Sequence, residues 1–162
     1  MKTANQIAQE LAEPFPPSHV HFRVGATNQA KDSGIALAFL DSRHVMQRLD
    51  DVVGPENWQC RYPFIGCCDI GIKIEGEWVW KANGAGETQV EAEKGQYSDA
   101  FKRAGAVWGV GRYLYYAPNK WYQIQNRRFT NAALTQMQKD LEAFTSKFSA
   151  RLKQRYGNED NK

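Results

Sequence analysis

At 162 residues, 42% hydrophobic and 24% charged, the chain is long enough for one folded domain with a proper core, expected over residues 1–155 with a flexible tail at 156–162. No apolar run approaches the roughly 20 residues of a membrane span, and Glu10 and Glu13 exclude a signal peptide at the N-terminus, so a cytoplasmic protein is expected. The net charge of +3 is modest but unevenly spread: residues 101–130 carry six cations and no acid, whereas residues 69–99 carry seven acids against three lysines.

In chain order, residues 1–13 read as a short helix with Ala4, Ile7, Ala8 and Leu11 on one face, ended by Pro14. A Pro-rich connector follows. Residues 19–24 alternate, with Val20, Phe22 and Val24 on one side, and predict a strand. Residues 25–34 are polar and predict a loop, and an apolar run follows at 35–40. Asp41 or Ser42 caps a helix that carries Val45, Leu49, Val52 and Val53 on one face and stops at Gly54-Pro55.

Residues 58–65, 68–75 and the segment around Trp78-Val79-Trp80 predict three strands, the last two joined at Glu75-Gly76-Glu77. Gly84–Gly86 breaks this antiparallel meander, and from about residue 91 to 113 the apolar period becomes helical. A last helix starts near Thr130, with Leu134, Met137, Leu141, Phe144 and Phe148 as its stripe. The fold class is therefore α+β, a β-β-β meander packed on a long helix. Cys60, Cys67 and Cys68 are an odd number, which fits a reducing compartment and structural thiols. Adjacent Cys67 and Cys68 face opposite sides of a strand, and His19, His21 and His44 are scattered, so no metal or other cofactor is expected.

On the helix over 95–113, Tyr97, Ala100, Phe101, Ala104, Val107 and Trp108 share one face. Lys102 and Arg103 lie off it, flanking a strip of Asp99, Ala106 and Gly109, which would let a sugar–phosphate chain approach. A competing reading leaves the two cations solvated, with Asp99 pairing Arg103 across one turn. The continuation favours nucleic acid: Arg112, Lys120, Arg127 and Arg128 stand among Tyr113, Tyr115, Tyr116, Trp121 and Tyr122. Unstacked bases rest on such rings at ~1–3 kcal/mol each while cations hold the backbone. Phe101, Trp108 and Tyr113 read as core; for Tyr115, Trp121 and Tyr122 both readings stay open.

Residues 92–104 (Ala-Glu-Lys-Gly-Gln-Tyr-Ser-Asp-Ala-Phe-Lys-Arg-Ala), with Trp108-Gly109 and Gly111-Arg112-Tyr113-Leu114-Tyr115, resemble the signature helix of the Rad-fifty-two superfamily of single-strand annealing proteins. The resemblance is to its bacterial and phage, DdrA-like branch. Residues 41–50, leading to Gly54-Pro55-Glu56-Asn57-Trp58-Gln59, match that branch's other hallmark, and Gly84-Ala85-Gly86-Glu87 fits the segment between the meander and the signature helix. The matches cover about two-thirds of the chain. The resemblance implies a β-β-β-α core and ring-like homo-oligomers. It also implies a cationic groove for single-stranded DNA and annealing without ATP in recombination and repair. A single-strand-binding protein or an exonuclease is the expected protein partner. The family's helix pair falls on Lys102 and Arg103, and its earlier basic residue on Arg43 or His44, with Arg43 the better match. Some relatives carry another arginine one turn after the pair; Ala106 stands there, so that contact is missing or comes from Arg112.

Two other functions compete. A metal-dependent nuclease would draw on Asp69, Glu87, Glu91, Glu93 and Asp99. The acidic-x-Lys triplet of restriction-like nucleases occurs only at Asp160-Asn161-Lys162, and no phosphate loop exists, because Gly105, Gly109 and Gly111 lack a following lysine and suit close packing. The chain is not expected to be an enzyme. A protector that coats DNA ends without pairing strands would use the same groove.

Overall fold

The computed structural model describes residues 1–84 and 94–157. Thr3 opens α1 (Ala4–Ala12) with a capping box: its hydroxyl accepts from the Gln6 N–H, and the Gln6 side chain returns a bond to the Thr3 N–H. Ile7 and Leu11 are the buried face of this helix. β1 (Val20–Thr27) and β2 (Ser33–Leu40) pair antiparallel, Val20 opposite Leu40. Asp41 accepts from the Arg43 N–H to start α2 (Ser42–Val53), which buries Val45, Leu49 and Val52 and stops at Gly54, φ 90°.

β3 (Trp58–Arg61), β4 (Cys67–Ile74) and β5 (Glu77–Gly84) form a three-stranded antiparallel sheet. Cys68, Ile70 and Ile72 alternate onto one face of β4, against Ala100, Phe101 and Ala104 of α3 (Lys94–Val107) and Trp108 just past its end. The expected β-β-β-α unit is present. Trp108 Nε1–H donates to the Ile70 carbonyl at 2.9 Å and fixes the helix against the sheet. Gly105 lets α2 close in, since a Cβ there would stand 2.9 Å from Val45 Cγ1. The chain then forms β6 (Trp121–Gln125), β7 (Arg128–Phe129) and α4 (Asn131–Tyr156), capped by Thr130. The second sheet has the order β1-β2-β6-β7. Among the described residues no helix is long and apolar enough to cross a membrane.

Several boundaries differ from the sequence expectation, each for a local reason. The loop expected over 25–34 shrinks to the turn between β1 and β2. Gly34 is part of the ladder because Val24 crosses there, 2.8 Å from where a Cβ would be. Asn28 closes the turn by accepting from the N–H groups of Asp32 and Ser33. The strand expected over 58–65 ends at Arg61, and the helix expected over 91–113 ends at Val107. Gly109 (φ 102°) and Gly111 (φ 73°) turn the chain into a 3₁₀ segment, Arg112–Tyr116. Leu134 is exposed rather than part of the α4 stripe, whose buried members are Ala133, Met137, Leu141 and Leu152. α4 extends through Tyr156, the first residue of the expected tail; residues 158–162 lie outside the described ones.

Two buried polar anchors hold the connector between α1 and β1. The Tyr113 hydroxyl accepts from the Phe15 N–H at 3.1 Å, and burial pushes the phenol up from its ordinary range. Arg48 donates to the carbonyls of Glu10, Leu11 and Glu13, the last at 2.6 Å, with its guanidinium 4.0 Å over the Phe15 ring. Arg48→Met is therefore expected to cost about 2 kcal/mol, because methionine keeps the stem but orphans the carbonyls at the end of α1. Urea unfolding measures it; a loss below about 0.5 kcal/mol would show that water replaces the guanidinium freely. The cysteines are free, and burial pushes the Cys68 thiol up to about 12, which leaves it a packing group.

Candidate nucleic-acid interface

α3 turns Ala100, Phe101 and Ala104 to the sheet, so Lys102 and Arg103 emerge beside them on the outer side. There they line a groove of about 150 Å³ with Phe39, Val45, Ala106 and Tyr115. Phe39 is 36% exposed, and the Lys102 ammonium stands 5.6 Å from its ring centroid. His21, directly across the β1–β2 ladder, lies 5.4 Å from the same ring. Tyr115 is 68% exposed at the groove's other rim.

Strand alternation extends this wall. His21 and Arg23 on β1 share a face with Phe39, Leu37 and Ile35 on β2, and the register of β6 adds Trp121 opposite Ile35. Arg23 has no ion-pair partner among the described residues. His21, Arg23 and Phe39 were not anticipated from sequence. Their signal was the complement of the apolar alternation: if Val20, Phe22 and Val24 face the core, His21 and Arg23 face away from it.

Arg43 does not line the groove itself; it sits in the first turn of α2, two residues before the lining Val45, with an exposed side chain and no ion-pair partner among the described residues. The Arg43 N–H bond to Asp41 holds that carboxyl below its usual range. His44 stacks on His19 with ring centroids 4.1 Å apart and planes 11° from parallel. Arg103 does pair with Asp99, 3.2 Å across one turn, with both side chains about half exposed. Such a pair is worth ~0.3–0.5 kcal/mol and yields readily to a phosphate.

The rest of the predicted basic block does not converge here. Arg112 Nε and Nη2 donate to the Ala106 and Val107 carbonyls at 2.8 and 2.5 Å, capping the end of α3. Gly109 faces Ala12 rather than continuing the small-residue strip. Lys120 reaches Asp140 at 3.4 Å, and the Tyr122 hydroxyl donates to the same carboxylate at 2.6 Å. The hydroxyl bond from Tyr122, with Lys120 beside it, holds Asp140 below the usual carboxylate range. Trp121 is 51% exposed on the wall, whereas Arg127 and Arg128 sit at the β6–β7 turn, where Arg127 lines a cleft with Lys31. Phe39 lies five steps along β2 from Gly34, which is near that turn, or roughly 17 Å at ~3.3 Å per residue.

The carboxylates weighed for a nuclease stand apart: Asp69 bonds Arg61 on the sheet face away from α3, and Asp99 bonds Arg103 on α3. Glu87, Glu91 and Glu93 lie outside the described residues. Arg112→Ala should lower stability by about 1 kcal/mol through the lost helix cap, while leaving the salt dependence of any polyanion binding unchanged. A flattened salt slope in that variant would place Arg112 in the interface after all.

Comparison with known proteins adds to this geometry. A model of the Rad52/22 family of double-strand break repair proteins matches residues 3–71 and 65–132. The single-stranded DNA-binding protein DdrA of Deinococcus radiodurans is 30% identical over 129 residues, 76% of this chain and 62% of the relative. Its counterpart in Deinococcus deserti is 29% identical over 125 residues, 72% of this chain and 60% of the relative. The chain thus spans about three-fifths of the length of these curated relatives. The two matched segments together take in α1, both hallmark helices, the meander and β6, so the chain belongs to the Rad52/22 family of double-strand break repair proteins.

Proposed function

We propose that this chain binds single-stranded DNA along the track from Arg43 through Phe39 to Lys102 and Arg103, and that it anneals complementary strands without ATP in recombination and repair. The observation that carries the reading is the groove itself. A lysine with no ion pair among the described residues, a weakly paired arginine and two exposed aromatic rings line one channel, between a helix and an extended sheet face. Cations there bind phosphates whatever the sequence, and Phe39 and Tyr115 offer rings to sugars or unstacked bases. The names of the Deinococcus relatives point the same way. Arg23, and Trp121 farther along the wall, extend the contact surface. The family resemblance supports a homo-oligomeric ring, in which each copy would contribute one segment of a continuous groove. The test is to mix complementary labelled oligonucleotides with pure protein, without nucleotide or metal. Duplex should form faster than the spontaneous rate. Binding without acceleration would leave a coating protein that protects ends, and activity abolished by a chelator would revive the nuclease.

A further inference from the structure

His19 and His44 stack where α2 begins, next to Arg43, and their surroundings treat the two rings differently. His19 Nδ1 is buried with no hydrogen-bond partner among the described residues. Protonating His19 would place an N–H at that nitrogen with nothing to accept it, so the charged form is the costly one. Its ring also packs against Phe15, 6.4 Å away. His44 lies in the first turn of α2 beside the exposed Arg43, and can take a proton while the neutral ring beneath it offers its π face. Two imidazolium ions at 4.1 Å would repel, so the stack accommodates one charge.

The charged and titratable groups around Asp41 and around Phe15, the ring that both histidines pack against, come from four elements. α2 supplies Asp41, whose carboxylate is close enough to feel both His44 and His21, together with Arg43 and Arg48, the last stacked on Phe15. β1 supplies His21. The connector after α1 supplies Glu13, whose carboxylate accepts from Ser149 of α4. The 3₁₀ segment after α3 supplies the Tyr113 hydroxyl, already bonded to the Phe15 N–H. A phosphate beside Arg43 would bring a negative charge to the exposed side of the stack, and a proton on His44 would offset it.

We infer that His44, carried on a His19 that stays neutral, is a proton-linked phosphate contact, so that the chain takes up a proton as it binds single-stranded DNA. The inference rests on the single-strand reading above. The experiment is calorimetric titration of the full chain with a short oligothymidylate, whose bases do not titrate near neutrality, at pH 7 in PIPES and in Tris. The two buffers differ in ionisation heat, so a difference in observed binding heat counts the protons exchanged. Uptake is expected, with affinity rising by up to about tenfold per pH unit from pH 8 to 6 for each proton bound. His44→Gln should abolish the uptake, and His19→Phe, which keeps the stacked ring but cannot titrate, should retain it. Buffer-independent heat with binding intact overturns the inference, as does uptake that persists in His44→Gln or disappears in His19→Phe. If the oligothymidylate does not bind at all, the single-strand reading itself fails, which is a different result from binding without proton uptake.

Discussion

The double variant Lys102→Ala/Arg103→Ala is expected to bind oligothymidylate roughly 25-fold more weakly at about 0.1 M salt and to converge with the parent near 1 M, because each lost phosphate contact removes ~0.7 from the log–log salt slope. Two contacts therefore flatten the slope by about 1.4, and the loss should be similar for every base sequence, since backbone contacts carry no sequence information. Both side chains are substantially solvated, so folding stability should move little; far-ultraviolet dichroism and urea unfolding of the same sample check this. Arg103 contributes through a residue already paired with Asp99, so Asp99→Asn alone should strengthen binding slightly by removing both the competitor and a repelling charge. Unchanged affinity and slope in the double variant would mean that this groove is not where the strand lies.

Much of this site was legible because helices advertise themselves over short distances. The period that sets Ala100, Phe101 and Ala104 on one face necessarily expels Lys102 and Arg103, and the structure has them there. The Asp41 cap and the Gly54 stop of α2 were equally local, as was the alternation of Ile70 and Ile72. The illegible part depended on pairing between distant segments. Phe39 reads as one more residue of an apolar strand until β1 is laid beside it and His21 arrives across the ladder. His19 and His44, 25 positions apart, give no spacing signal, yet the end of the connector and the first turn of α2 stack them at 4.1 Å. The basic block misled for the complementary reason. Charge density along the chain does not distinguish a cation that faces solvent from one spent on carbonyls, as Arg112 is, or on a carboxylate, as Lys120 is. The β6–β7 hairpin escaped notice because its turn places Asn126 and Arg127 at φ 53° and 63°, where glycine would have marked it.

Phe101→Ala should be the most destabilising single change near the site, at about 3–5 kcal/mol, a large share of the ~5–15 kcal/mol that holds a domain of this kind together. The ring is 1% exposed, sits 6.1 Å from the Trp58 indole and packs with the same core cluster as Ile70 and Ile72. Truncating it removes a whole aromatic from the face that docks α3, and the backbone cannot close the gap, since Ala100 and Ala104 flanking it are already small. Urea unfolding gives the loss directly, and Phe101→Leu, which refills most of the volume, should recover more than half of it. The consequence reaches the groove because Lys102 and Arg103 are the next two residues on the same helix. At a temperature where Phe101→Ala is still folded, a looser α3 no longer holds the two cations in register with Phe39 and Arg43. Single-strand affinity should then fall although no contacting side chain has been altered. A cost below about 1 kcal/mol would show that α3 does not depend on this sheet for its position; a full cost with unchanged affinity would show instead that the cations find the phosphates without a rigid helix beneath them.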